Sequence, residues 1–486
     1  MSTAKEEVTL SLTAMINKEK TNVLFALVDN NLADIFLSYL ALPMGLIIQL
    51  LKQHYGDEAP NMGSLNSLYN GLANLDSAYF WTEAGKLMLL NPKNSLEKEC
   101  SKLKINLNKT QPTKYFTCGY WPCSGYRNAN ASMYHNTNKC PSCGSLMNRE
   151  IDVVGKNSTH GDGEVFVVKP ISFLITHDMK MLPNVTGSIF ESIKYLGITD
   201  ADEAEARSVV IGLDEVMHLL KGLLSSQATL ADIVFKKLHM HHSPTTKFES
   251  FNLPPEMKKG TTSSSKKMKV NAMVQKSNNK LLFVQAKEEF VEFLFSLLTI
   301  PLGQVESLLG GDTSLGEIDN FYRSIVNLDG DRYLTLGAKG MLIKPKLPPK
   351  YLSKYQIFPI SEQKAPDLYY YIRYYKGIEH LSPYKSEDEG TLVSWVYSKN
   401  LQGEVSFVKG PGMFMVTDDL TVTPLCMVST LSTLKERKIT LSDVEELELD
   451  IGLEECLSIL KSSLISSNSL TNGLIHVLKK QPKQEH

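Results

Sequence analysis

The sequence predicts an α+β protein in which one unit, made of small antiparallel sheets packed with short helices, occurs twice in tandem. Three observations lead to this prediction. Residues 12–51 align without a gap on residues 270–309, each half shows strand-like alternation followed by helical spacing of apolar residues, and two close pairs of cysteines lie in the first half only. Internal repeats determine an architecture before any single element is assigned.

The repeat extends well beyond its first block. The offset in that block is constant, so that Lys18 aligns with Lys276 and Pro43 aligns with Pro301. Three later blocks recur in the same order, namely Asn74-Leu75-Asp76 with Asn327-Leu328-Asp329, Gly163-Glu164-Val165 with Gly403-Glu404-Val405, and Ile211-Gly212-Leu213 with Ile451-Gly452-Leu453. The same four blocks occur in the same order in each half of the sequence. This arrangement predicts a tandem duplication and a two-lobed molecule.

The opening of each copy predicts a β-hairpin followed by helices. Apolar and polar residues alternate on both sides of a polar turn at Asn17 to Asn22, which is typical of two paired strands. Apolar residues then recur at helical spacing from Leu32 to Leu40, and Pro43 suits the first turn of a second helix. The later part of the first copy predicts a strand near Phe173 to Thr176 and helices near Ile189 to Tyr195 and Leu213 to Leu224.

These patterns divide the chain into subdomains. The first copy consists of 1–110, a zinc-ribbon-like insert with four cysteines at 111–160, and 161–242; a flexible linker follows at 243–267; the second copy consists of 268–350, a Tyr-rich insert without cysteine at 351–402, and 403–480, before a tail at 481–486. The linker is rich in Pro, Ser and Thr, and such composition cannot bury enough apolar surface to offset its chain entropy. We therefore expect lobes that reorient.

Composition excludes some classes of protein. With 486 residues, 42% hydrophobic and 21% charged, the chain has ordinary globular composition and is long enough for several domains. A formal charge of -2 provides no general attraction to nucleic acid or membranes. No apolar run is long enough to span a bilayer, and the N-terminus lacks a secretory apolar core. These features predict a soluble intracellular protein, cytoplasmic or nuclear.

Cys118, Cys123, Cys140 and Cys143 form a C-x4-C pair and a C-x2-C pair separated by 16 residues. Two thiolates on a tight turn can bind one ion, and two such turns complete the tetrahedron that zinc prefers. The alternatives are unligated buried thiols, a disulfide pair, or His135 replacing one cysteine. Because four protein ligands leave no open position, we predict a structural zinc site with these four cysteines as ligands and no catalytic role.

Other polar clusters have weaker signals. The stretch Tyr369 to Tyr375 around Arg373 suits either stacking of single-stranded nucleic acid or a strand whose tyrosines pack on the protein, and we favour the strand. Imidazoles at His239, His241 and His242 suit a solvated cluster better than a metal site. Thr176-His177-Asp178 and Thr417-Asp418-Asp419 follow strands and are typical of turns, although repeated carboxylates also permit acid-base chemistry.

No phosphate-binding loop, nucleophile elbow, dinucleotide fingerprint or zinc-protease motif is present in the sequence. We therefore assign no catalytic or cofactor-binding residue, and enzymatic activity is not indicated. Cys100, Cys426 and Cys456 are interpreted as ordinary thiols.

Several motifs together resemble a plant family known as domain of unknown function 674 (DUF674). They are Val23-Leu24-Phe25-Ala26, Leu42-Pro43-Met44-Gly45, Phe80-Trp81-Thr82-Glu83, Pro112-Thr113-Lys114-Tyr115-Phe116, Leu146-Met147-Asn148-Arg149 and Phe414-Met415-Val416-Thr417-Asp418-Asp419-Leu420. The resemblance implies a plant protein and a zinc-binding cysteine cluster, and it implies no activity. The first copy has His177 where the second has Asp418, so the two halves would not share any chemistry of that motif.

The leading functional hypothesis is a non-enzymatic protein-interaction or scaffold protein in which zinc orders the segment from Cys118 to Cys143. The second hypothesis is nucleic-acid binding through the zinc module and the Tyr-rich segment. The third is an enzyme with a pocket between the lobes. No membrane partner is expected, and the sequence does not indicate an oligomeric state.

Overall fold

The computed structural model describes residues 9–17, 19–107, 114–120, 123, 129–133, 138–154, 164–195, 204–225, 229–236, 266–278, 280–373, 378–385, 390–397 and 405–480. Residues 243–265 of the predicted linker, the histidines near 240 and His135 therefore lie outside the described residues, as do Tyr374 and Tyr375.

The elements are numbered in chain order. The strands are β1 (Leu10–Asn17), β2 (Val23–Val28), β3 (Tyr115–Thr117), β4 (Asn130–Ala131), β5 (Arg149–Ile151), β6 (Phe173–Thr176), β7 (Met181–Pro183), β8 (Ala204–Ile211), β9 (Met268–Gln275), β10 (Lys280–Lys287), β11 (Tyr369–Arg373), β12 (Ile378–Ser382), β13 (Thr391–Leu392), β14 (Ser394–Trp395), β15 (Met413–Thr417), β16 (Val422–Pro424) and β17 (Val444–Ile451). The helices are α1 (Asn30–Ser38), α2 (Met44–Tyr55), α3 (Leu65–Asn74), α4 (Glu83–Leu90), α5 (Glu97–Cys100), α6 (Thr186–Tyr195), α7 (Leu213–Ser225), α8 (Thr229–Val234), α9 (Glu288–Ser296), α10 (Leu302–Leu308), α11 (Gly316–Asn327), α12 (Gly330–Tyr333), α13 (Ala338–Ile343), α14 (Met427–Glu436), α15 (Leu453–Ile465), α16 (Ser469–Gly473) and α17 (Ile475–Lys480).

Each half contains a five-stranded antiparallel sheet, and the two sheets have the same strand order. The first is β7-β6-β2-β1-β8 and the second is β16-β15-β10-β9-β17. In both, the N-terminal hairpin is central, and strands from after the insert flank it on either side. The α+β class and the predicted hairpins are confirmed.

The central hairpin forms because alternate residues of its strands are apolar. In β1, Leu10, Leu12, Ala14 and Ile16 are buried, whereas the intervening residues are exposed or half-buried. Asp29 caps helix α1, because its carboxylate accepts a hydrogen bond from the Leu32 N–H at 2.9 Å. Such a cap satisfies one of the unpaired amides of the first helical turn. The sheet face and the helix face bury against each other, as the periodicity predicts.

The two halves pack on each other reciprocally. Helix α3 of the first half contacts β16 of the second, and α11 of the second contacts β7 of the first. Where the halves meet, Pro43 and Pro301 form an isolated antiparallel bridge. The Met44 N–H donates to the Ile300 carbonyl at 3.0 Å, and the Leu302 N–H donates to the Leu42 carbonyl at 2.9 Å.

One hydrophobic core runs through both halves. It includes Phe36 of the first half and Phe321 of the second, whose ring centroids lie 6.4 Å apart. Separating the halves would expose these side chains to water, at roughly 25 cal/mol for each Å² of apolar surface. The expectation that two lobes reorient therefore does not fit this structure, although the subdomain boundaries themselves stay a prediction.

In each half, a carboxylate in the first helix accepts hydrogen bonds from the segment that follows the insert. The two carboxylates occupy aligned positions. The Asp34 carboxylate accepts hydrogen bonds from the N–H groups of Phe166 and Val167 at 2.9 and 2.8 Å. Glu292, which aligns with Asp34, accepts from the N–H groups of Phe407 and Val408 at 2.9 and 3.0 Å. Burial raises the pKa of Asp34 to about 7 and also raises the pKa of Glu292.

Glu317 gives the fold a dependence on pH. Its carboxyl group in α11 accepts a hydrogen bond from the Thr229 hydroxyl in α8, and burial raises its pKa from 4.5 to about 7. Below pH 4.5 the group is protonated in both states, and its contribution to stability is fully present. Between pH 4.5 and 7 the unfolded chain releases the proton while the folded chain retains it, so stability is lost as pH rises.

Between pH 4.5 and 7, we expect the free energy of unfolding of Glu317→Gln to fall by about 3 kcal/mol less than that of the parent protein. The figure follows from about 1.4 kcal/mol for each unit of pKa shift. Urea unfolding measured on both sides of that pH window tests it. Glu58→Gln, which replaces an exposed carboxylate, is the control and should leave the dependence unchanged. Equal pH dependence in the Glu317 variant and the parent protein would show that Glu317 is not the group responsible.

The two inserts join into one structure. Strand β14 of the second insert pairs in parallel with β4 of the first, and β11 forms a three-stranded sheet with β12 and β13. Their shared core consists of Ala129, Ala131, Ile151, Leu368, Tyr370, Leu381 and Val393. We call the described residues within 114–154 and 366–397 the insert module.

Among the described residues, no helix combines the length and the apolar character that crossing a bilayer requires.

Candidate metal centre

The four predicted cysteines come together at the edge of the insert module. The sulfur atoms of Cys118, Cys123, Cys140 and Cys143 all lie within 4.8 Å of one another, and each cysteine is free. Thiolates bound to a zinc ion at about 2.3 Å lie roughly 3.8 Å apart, so the cluster needs little movement to surround such an ion. The donor set fits a thiolate-binding metal.

The second pair of cysteines lies on a hairpin turn. Lys139 and Leu146 form an antiparallel bridge that closes it, and the Gly144 N–H donates to the Cys140 carbonyl at 2.9 Å. Gly144 has a φ of 72°, a conformation that residues with a Cβ rarely adopt. A glycine at this position therefore allows the turn without backbone strain.

The first pair follows strand β3. Phe116 exchanges two backbone hydrogen bonds with Ser132, at 2.8 and 2.9 Å, which positions the end of the strand. Cys118 follows directly, Gly119 has a φ of 65°, and the Cys123 N–H donates to the Tyr120 carbonyl at 3.0 Å. A turn thus directs both thiols of the C-x4-C pair toward those of the hairpin.

The surroundings of the cluster lower the pKa of one of its four thiols. Hydrogen bonds from Ser145 lower the pKa of Cys143 to about 6, whereas burial and contact with the neighbouring thiols raise the pKa of Cys118 to about 11. Because the groups interact, they release protons as one system. A bound cation would displace the remaining protons, so metal affinity is expected to rise with pH.

The cluster packs against the second half of the chain. Cys140 and Met147 share a small apolar core with Val396, and the other three cysteines contact it. The buried Asn138 side-chain amide donates to the Ser132 hydroxyl at 2.7 Å and to the Val396 carbonyl at 3.1 Å. The cysteine cluster is therefore in contact with both inserts.

A family model described as "Protein of unknown function (DUF674)" matches residues 6–452. The chain belongs to the DUF674 family. No curated protein and no solved structure shows significant similarity to it. The resemblance expected from the motifs is confirmed, and it covers nearly the whole chain of this DUF674 protein.

In the Tyr-rich segment of the DUF674 protein, Tyr369–Arg373 form strand β11, as favoured from the sequence. Tyr370 is 4% exposed in the module core, and Tyr371 is 8% exposed, stacks on His380 and donates its hydroxyl to the Tyr384 carbonyl at 2.9 Å. Buried rings cannot stack on bases, so these two tyrosines give no support to single-strand binding.

The two Thr-Asp motifs are turns. The Thr176 hydroxyl donates to Asp178 at 2.5 Å, and the Thr417 hydroxyl donates to Asp419 at 2.5 Å. His177 is exposed, whereas Asp418 is buried and accepts two hydrogen bonds from Thr471, each at 2.8 Å. Asp418 thus ties its turn to helix α16.

Among the remaining cysteines, Cys100 and Cys456 are buried, and Cys426 is exposed at the start of α14. Sequence reasoning missed the buried carboxyl groups of Asp34, Glu292 and Glu317. A signal was present for the first two, because an acidic residue interrupts the apolar helix at the same aligned position in both halves.

Proposed function

We propose that the cysteine cluster binds one zinc ion and that this ion holds the two inserts together as a module for binding a protein partner. The contact between the cluster and Val396 carries the proposal, because it places the four thiols against both inserts. Four thiolate ligands leave no position for water or substrate, which suits a structural role.

The surface of the insert module supports binding to a protein. Six apolar or aromatic side chains are exposed on it, at between 41% and 55%, namely Tyr120, Leu146, Val153, Val154, Tyr384 and Leu392. Aromatic residues are enriched in protein interfaces, and covering exposed apolar side chains with a partner is favourable. This composition favours a protein partner over the nucleic-acid alternative.

The equivalence of the halves supports an origin by tandem duplication. Two sheets with one strand order, reciprocal contacts at Pro43 and Pro301, and the aligned Asp34 and Glu292 are what copying a self-associating unit would produce. The first copy would then have acquired the zinc-ribbon-like insert, or the second would have lost its cysteines.

Two measurements test the proposed function. Elemental analysis of purified protein should find one zinc ion per chain, and removal with a chelator should abolish capture of protein partners from a cell extract. Replacing Tyr120 and Leu392 together by serine should abolish the same capture while retaining zinc, because both side chains are exposed.

Leu336→Ser is the matched control, since Leu336 is 99% exposed and lies outside the insert module. Partner capture that survives the module substitutions would refute the interaction surface. Binding to single-stranded RNA that weakens steeply with salt would favour the nucleic-acid alternative instead.

A further inference from the structure

Asn138 lies between the cysteine hairpin and the second insert. Its side chain is 3% exposed, and its amide nitrogen donates to the Ser132 hydroxyl at 2.7 Å and to the Val396 carbonyl at 3.1 Å. Ser132 belongs to the first insert, and Val396 directly follows strand β14 of the second. One side chain, two residues before Cys140, therefore bonds to both inserts.

The backbone of Asn138 belongs to the hairpin that carries Cys140 and Cys143. The Met147 N–H donates to the Asn138 carbonyl at 2.9 Å, and the Cys140 N–H donates to the Ser145 carbonyl at 2.8 Å. These two bonds hold opposite sides of the hairpin together. A change that loosens the hairpin therefore also releases the Asn138 side chain.

Val396 receives three separate contacts from the first insert. Its N–H donates to the Ala131 carbonyl at 2.8 Å, its carbonyl accepts from Asn138, and its side chain packs with Cys140 and Met147. The first contact comes from strand β4, whereas the other two come from the hairpin that carries the cysteines. The position of Val396 therefore depends on that hairpin as well as on strand pairing.

Asparagine suits this position because both of its neighbours can accept a hydrogen bond. The amide nitrogen supplies two N–H groups, one for the Ser132 hydroxyl and one for the Val396 carbonyl, which can only accept. The amide oxygen is buried and has no hydrogen-bond partner among the described residues. Asn138 therefore stabilises this contact through its two donors, and a side chain without N–H groups would lose both bonds.

We propose that Asn138 is a positioning residue that couples metal binding at the four cysteines to the docking of the second insert. The inference rests on the proposed function and names the side chain through which the metal site acts on Val396. Coupling between two sites is reciprocal, so docking of the second insert also favours the hairpin geometry that binds the metal. Loss of the Asn138 amide should therefore change both properties together.

Asn138→Leu tests the proposal, because leucine has a similar size and no hydrogen-bond donor. We expect the full-length variant to bind one zinc ion with about tenfold lower affinity, as is usual when a group that supports the metal ligands is removed. Competition with a colorimetric chelator measures that affinity.

Amide hydrogen exchange, with and without zinc, measures the docking of the second insert. The Val396 N–H donates to the Ala131 carbonyl, so its exchange reports the contact between the inserts directly. In the parent protein we expect zinc to slow exchange at Val396. In Asn138→Leu, zinc should still slow exchange at Cys140 but no longer at Val396. A purely structural role would instead raise exchange equally with and without zinc.

Two controls separate this coupling from a general loss of stability. Ser132→Ala removes one acceptor and leaves the bond between Asn138 and Val396, so zinc should still slow exchange at Val396. Asn94→Leu makes the same substitution at a buried asparagine outside the insert module and should leave the affinity for zinc unchanged. Loss of the zinc response in both controls would overturn a specific role for Asn138.

An affinity for zinc, or a zinc response at Val396, that is unchanged in Asn138→Leu would also overturn the proposal. If that variant does not fold, Asn138→Ala is judged by the same two measurements. Absence of zinc from the parent protein would refute the proposed function, and this inference with it. Zinc binding with an unchanged response at Val396 refutes the role of Asn138 alone.

Discussion

Cys140→Ser is expected to abolish zinc binding and to increase amide hydrogen exchange in both inserts. Cys140 is 2% exposed, and its sulfur lies in the cluster core that Val396 of the other insert completes. A structural zinc ion contributes on the order of 10 kcal/mol to the folding of a small metal-binding unit, so its loss should unfold the cluster. Exchange should then rise at β14 as well as at β4.

The two five-stranded sheets are expected to stay protected in this variant, because they bury a core that excludes the cysteine cluster. Cys456→Ser is the control: it also places a hydroxyl at a fully buried cysteine, but outside the cluster, and should retain zinc. Increased exchange confined to the first insert would contradict the proposal that the ion holds both inserts.

Gly303→Ala is expected to destabilise the protein by about 3 kcal/mol, although alanine normally stabilises a helix relative to glycine. A Cβ at Gly303 would lie 2.2 Å from the Leu342 carbonyl oxygen and 3.1 Å from that of Leu40. Both obstacles are backbone atoms, one from each half, and neither can move without displacing a helix or the junction. Urea unfolding monitored by circular dichroism measures the effect.

Gly340→Ala is the matched control, because Gly340 is also helical and a Cβ there meets nothing within 4 Å. It should be neutral or stabilise by up to about 1 kcal/mol. Gly45→Ala, at the aligned position, should cost less than Gly303→Ala, since the nearest atom is 3.0 Å away. Equal stability of the Gly303 and Gly340 variants would disprove the close approach of Gly303 to the Leu342 carbonyl in α13.

The hairpins and the helices that follow them were predictable because their signals are local. Alternation in β1 and helical spacing in α1 repeat at aligned positions in β9 and α9, and two copies of one pattern reinforce each other. The cysteine turns were predictable for the same reason, since each pair is separated by only a few residues.

No local sequence pattern predicted the contacts between the two halves. Strand β14 is two residues long and pairs with β4 more than 250 residues earlier, without any repeated motif to mark it. The linker that composition predicts to be flexible suggested separable lobes, yet linker composition does not determine whether the elements on either side bury apolar faces against each other. Here Phe36 and Phe321 do so.

Residue order alone thus specified the family, the repeated α+β unit and the set of cysteines, because each depends on spacing along the chain. The single core and the joined inserts depend on which surfaces meet once folded. The total apolar surface buried between residues far apart in the sequence decides which surfaces meet. No short stretch of sequence contains that information.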